Sequence, residues 1–201
     1  MAKQESKPEG KKLSTGWIIG IVVVALIVII VLSGISIRNN LVRLDTNVDT
    51  AWANVQTQYQ RRADLIPNLV ETVKGAKEFE QSTLVEITKA RSAWTNAQTP
   101  EDQVAAANGM ESALSRLMAV VENYPDLKSN QNFLALQDEL TNTENKVAVE
   151  RGRYNTAVQS LNTQVRLFPT NIVAGMFGFE KRTFFSSTPG AENAPTVNLT
   201  G

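Results

Sequence analysis

The sequence predicts an all-α protein: one N-terminal transmembrane helix followed by an antiparallel up-down bundle of about four long helices. Three observations predict it. From Leu13 to Ile37 runs a stretch of 25 residues without a charge. Beyond it, apolar residues recur at spacings of three and four, with little alternation at spacing two. The breaks between those stripes are short, and short connections make neighbouring helices antiparallel.

The apolar run has its centre at Trp17–Ile37, where 15 of 21 residues are Val, Ile or Leu. At about 1.5 Å per residue it matches a hydrocarbon core of roughly 30 Å. A soluble helix of this length would keep a polar face, and a cleaved leader would have a shorter apolar region. Residues 17–37 therefore read as an uncleaved signal anchor. Leu32-Ser33-Gly34 has the form of a lipobox, but Ile35 stands where the lipidated Cys would be. Residues 1–16 form a basic tail with Lys3, Lys7, Lys11 and Lys12, against Arg38 and Arg43 after the span. That asymmetry puts the N-terminus in the cytoplasm and the rest outside it.

Four stripes define the bundle, assigned to residues 38–186. Leu44, Val48, Ala51 and Val55 form the first, on a helix expected to continue directly from the span. Leu69, Val73, Ala76, Thr83, Ile87, Ala90 and Trp94 form the second, skipping a turn at Glu80, with Asp64 as cap and Pro67 in the first turn. Val104, Ala107, Leu114, Leu117 and Val121 form the third, opened by Thr99 as cap and Pro100 at the first position. After a turn at Asn123-Tyr124-Pro125-Asp126 comes the fourth and longest, with Leu136, Leu140, Val147, Tyr154, Val158, Leu161, Val165 and Phe168. Phe168-Pro169 ends it. Residues 187–201 are rich in Thr, Pro, Gly and Asn and are expected to be disordered.

Composition narrows the chemistry. There is no His and no Cys, so imidazole catalysis, thiol catalysis, zinc fingers and disulfides are excluded. Twenty bases balance 20 acids, which speaks against nucleic-acid binding. That neutrality divides into +2 before the span and −2 after it. No phosphate loop, serine elbow or metal-ligand pair is present. The sequence thus points to no catalytic residue, cofactor or metal, and to a protein that is not an enzyme.

Two groups are candidate contact residues. Arg61, Arg62 and Asp64 lie beside Pro67; Arg62 and Asp64 could pair, or the arginines could reach a partner's carboxylates or phosphates. Phe177, Phe179, Lys181 and Arg182 fall in the aromatic C-terminal segment, which holds five of the seven Phe residues. Those rings either cover the end of the bundle or touch the membrane interface or a partner. Glu144 and Arg151 interrupt the fourth stripe and read as a polar network that fixes helix register, or as a ligand site between helices.

Specific stretches resemble the LemA family. They are Ala51-Trp52, Arg61-Arg62-Ala63-Asp64-Leu65-Ile66-Pro67-Asn68-Leu69-Val70, Glu122-Asn123-Tyr124-Pro125-Asp126-Leu127-Lys128, Arg153-Tyr154-Asn155 and Ala174-Gly175-Met176-Phe177-Gly178-Phe179. The resemblance implies a bacterial protein built as an N-terminal anchor plus a helical bundle, in the cell (inner) membrane. It carries over no catalytic residue. The functional expectation is a membrane-anchored scaffold of the cell envelope with a protein partner or a second copy of itself. The alternative is lipid binding or membrane remodelling through the bundle and its aromatic end.

Overall fold

A computed structural model describes residues 15–75 and 79–185. The expected disordered tail lies outside them, as do Ala76 and all of the basic tail except Thr15 and Gly16. Six helices follow in order: α1 Thr15–Lys74, α2 Gln81–Asn96, α3 Pro100–Val121, α4 Pro125–Lys128, α5 Gln131–Arg166 and α6 Thr170–Phe177. Among the described residues there is no strand. The all-α architecture is the one the periodicity implied, with its four long helices supplied by α1, α2, α3 and α5.

α1 is a single helix of 60 residues, about 90 Å long. Its first part is long and apolar enough to cross a membrane, and its side chains from Trp17 to Leu32 are all exposed. Arg38, Asn39 and Asn40 follow without a break, and the core begins at Leu41. Leu41, Val48 and Val55 are buried at intervals of seven, as are Phe133, Leu140, Val147 and Tyr154 on α5. Such spacing keeps two long helices in contact along a shared seam, and α1 packs mainly on α5. Their order is antiparallel: Arg61 meets Glu139 and Arg62 meets Glu144, while further down α1 Trp52 meets Tyr154.

α2 and α3 form the other close pair. Leu84, Ile87 and Trp94 bury against a core that includes Met110, Leu114 and Leu117, and an exposed Arg116–Glu86 ion pair of 2.7 Å crosses between them. Thr99 caps α3, its hydroxyl accepting from the Asp102 backbone N–H at 3.1 Å, with Pro100 at the first position. The Asn123–Asp126 turn carries the one-turn helix α4. Asn130 caps α5 by accepting from the N–H groups of Asn132 and Phe133.

The reading of Asp64 and Pro67 as a helix start needs correction. α1 passes straight through Pro67. Proline has no N–H for the carbonyl four residues back, here that of Ala63, and an orphaned carbonyl in a packed interior is costly. Arg91 on α2 supplies the missing donor, its Nε–H reaching the Ala63 oxygen at 3.1 Å. α1 ends at Lys74, with Gly75 in a turn, and α2 begins at Gln81, so the second stripe spans two helices and not one. Asp64 caps nothing: its carboxylate accepts from Gln60 one turn back at 2.8 Å, and it does not pair with Arg62.

Candidate functional site

The last described residues fold back on the bundle. Gly178 takes a left-handed backbone (φ 73°) that ends α6, and the Phe179 N–H closes on the Ala174 oxygen at 3.0 Å. Residues 179–185 then run along α5 as an extended strap. Asn162 uses both ends of its amide on the backbone of Arg182, at 2.9 Å each way. Asn155 does the same with Phe185, at 3.0 and 2.8 Å. Between them the Tyr154 hydroxyl donates to the Thr183 carbonyl at 2.9 Å. Two side-chain amides thus act as the neighbouring strand that this segment lacks.

The strap delivers Phe185 to the bundle centre. Its ring lies nearly parallel to that of Tyr59, centroids 6.2 Å apart, and beside Trp52 at 6.0 Å; Trp94 closes on Tyr59 from α2 at 4.9 Å. The Tyr59 hydroxyl donates to Glu111 of α3 at 2.7 Å. Arg151 of α5 bonds both Glu111, at 2.8 Å, and the Tyr59 oxygen, and its guanidinium lies 4.2 Å from the Phe185 ring centroid. Burial pushes the Tyr59 phenol far above the ordinary tyrosine range; Glu111 adds to this and Arg151 opposes it. Four helices and the strap therefore meet in one polar-aromatic cluster, in which Arg151 ties α5 to α1 and α3.

The candidate contact residues fall at two levels of the bundle. At the level away from the apolar part of α1, Arg61 binds Glu139 at 2.5 Å, and Asp64 is exposed. Arg62 is only 5% exposed, and a single contact at 3.4 Å joins it to Glu144. At the other level, the Arg38 guanidinium lies 5.1 Å from the centroid of the Phe177 ring. Phe179 is half-buried against the core, and Lys181 is exposed. Arg182 is anchored to Asp45 at 2.9 Å and to Asp49 at 3.3 Å. Arg182 and Phe179 are thus engaged within the fold.

What lies open at that level is a different set. Phe168, Ile172 and Met176 are 80%, 54% and 75% exposed and recur every four residues. Ile172 and Met176 lie one turn apart on α6, which packs on both α1 and α5, and Phe168 stands just before that helix. Phe168, expected as the last member of the fourth apolar stripe, lies beyond the end of α5 and is exposed, while Ile172 and Met176 carried no signal in ring type. Among the described residues, no group of three or more acidic side chains gathers where it could hold a metal ion.

A bundle carried on one helix long and apolar enough to cross a membrane defines a membrane-associated helical protein. Residues 51–199 match the LemA family, and the chain belongs to it. It is similar to Protein LemA of Metamycoplasma hominis, with 28% identity over 138 residues, 68% of this chain and 63% of that protein. It is also similar to the magnetosome proteins MamQ 2 and MamQ 1 of Paramagnetospirillum magneticum, each 33% identical over 84 residues, 42% of this chain and 31% of theirs. The chain thus spans under two thirds of the length of these curated relatives.

Proposed function

We propose that the protein is a single-pass, membrane-anchored scaffold of the bacterial cell envelope that contributes contact and no catalysis. The observation that carries this is the unbroken course of α1 from its exposed apolar part into the bundle core. A helix without a hinge fixes the bundle's height and tilt above the bilayer, which a scaffold needs. Lys3, Lys7, Lys11 and Lys12 keep the N-terminus cytoplasmic, so the bundle stands on the opposite face, and the apolar run remains as an anchor. Arg61 and Asp64, at the far level, face a protein partner or a second copy of the chain.

A second reading, lipid contact, is favoured by the α6 stripe. Arg38 is the first charge after the apolar run, and Phe177 at the end of α6 lies against it. That sets α6 level with the headgroup boundary. Phe168, Ile172 and Met176 then lie in the interface, as the apolar face of an interfacial helix does. The two readings are compatible, since one concerns how the bundle is seated and the other what it holds.

One experiment addresses both. A photo-reactive amino acid is placed at Arg61 in one strain and at Met176 in another, and both are irradiated in cells. The expected result is protein adducts of defined mass from position 61 and lipid adducts from position 176. Absence of any protein adduct at 61 removes the scaffold reading. Absence of lipid adducts at 176 removes the seating of α6.

A further inference from the structure

A groove runs between α3 and α5 with α1 as its floor. It consists of two adjoining cavities of about 240 and 360 Å³, and Arg62, Ser115 and Glu144 line both. Leu114, Met118 and Leu140 give the first cavity an apolar wall. Glu111, Ser112 and Arg151 line the second.

Arg62 is the more weakly bonded of the two arginines that line this groove. It is 5% exposed, yet its Nε and Nη1 have no hydrogen-bond partner. Buried guanidinium groups are ordinarily paired and fully bonded, because a charge removed from water otherwise costs several kcal/mol. Among the described residues the carboxylate paired with it is Glu144, which touches one nitrogen at 3.4 Å from a side chain that is itself 66% exposed. A fork built to take two parallel bonds is thus met by one long one.

The geometry points to a carboxylate-binding site at Arg62, with Glu144 as a displaceable occupant. The local charge count selects the class of anion. Glu111 is held in place by Arg151 and the Tyr59 hydroxyl, so those charges cancel. When Glu144 swings out to solvent, one positive charge remains. A monovalent carboxylate neutralises it, whereas a phosphate dianion would add a charge beside Glu111. Ser115 lines both cavities and Ser112 the second, and the apolar wall accommodates the carbon chain that bears the carboxylate. This site is independent of how the bundle is seated on the bilayer.

The test uses the full chain in lipid nanodiscs with ¹⁵N-labelled arginine, titrated with acetate against chloride at constant ionic strength. The Arg62 Nε–Hε resonance, assigned by its loss in Arg62→Lys, is expected to shift saturably with acetate and not with chloride. Glu144→Gln removes the competing carboxylate from an exposed position, and acetate should bind that variant about fivefold more tightly. A resonance that does not respond to acetate, or an affinity that Glu144→Gln leaves unchanged, overturns the assignment. Tighter binding of inorganic phosphate than of acetate overturns the choice of a carboxylate.

Discussion

Tyr59→Ala is expected to destabilise the bundle by about 3–5 kcal/mol, the range for deleting a large aromatic side chain from a packed core. Tyr59 is fully buried and touches residues from α2, α3, α5 and the strap. Few side chains here are shared so widely. Denaturant unfolding followed by helical circular dichroism, in detergent, measures the loss. Thr57→Ala, on the exposed face of the same helix, serves as the reference and should stay within about 0.5 kcal/mol. Equal losses for the two would mean that the aromatic cluster is not the centre of the fold. The gentler variant Tyr59→Phe tests the hydroxyl through pH. The folded state holds this phenol protonated above its unfolded value of about 10. Its contribution to stability is therefore complete below about pH 10 and is lost as pH rises beyond it. Tyr154 shifts the same way, so the difference between parent and Tyr59→Phe is the informative quantity. The parent should lose more stability than the variant on going from about pH 9 to about pH 11.

Asn40→Pro should uncouple the bundle from its anchor. Asn40 is an exposed residue inside α1, just before the first core position, Leu41. Proline there removes the N–H directed at the Ser36 carbonyl and drives its ring into that carbonyl, at a cost of about 3 kcal/mol or more. Because the chain has no native Cys, spin labels can be placed cleanly at Ser33→Cys and Thr46→Cys. The parent should give one narrow distance of roughly 20 Å, as a continuous helix requires. Asn40→Pro should broaden and shorten it. An unchanged narrow distribution would show that the junction carries no mechanical continuity worth breaking.

Much of this fold was legible in the sequence, and the reasons are local. The Thr99-Pro100 start of α3 and the stripe of α5 depend on a few neighbouring residues, so propensity and period are enough to find them. Pro67 was misread because its acceptability depends on Arg91, a residue from another helix that no local rule can supply. The end of α1 carried its own mark, Gly75, which was overlooked because the apolar stripe continued in phase across it. Tyr59 sits four residues after Val55 on the first stripe and could have been found by extending that count. Period carried the fourth stripe on to Phe168, which lies past the end of α5 and is exposed, and the rings of Phe177 and Phe179 drew attention away from Ile172 and Met176. That Arg62 is buried and under-bonded depends on where α3 and α5 pass, which sequence spacing does not encode.

The strap of residues 179–185 also constrains the order of assembly. Phe185 packs on Tyr59, yet most of the folded sequence separates the two, and such distant contacts form late because a long loop must close first. During synthesis, α1 emerges first and must wait for α5 before its heptad seam is covered. The aromatic cluster must wait longer still, until the strap has left the ribosome. In that interval Trp52, Tyr59 and the Arg151 guanidinium lack their last neighbour. A nascent chain halted before Asn155 and Phe185 can meet would thus display an adhesive aromatic surface. The growing polypeptide therefore stays open to aggregation until the strap has arrived.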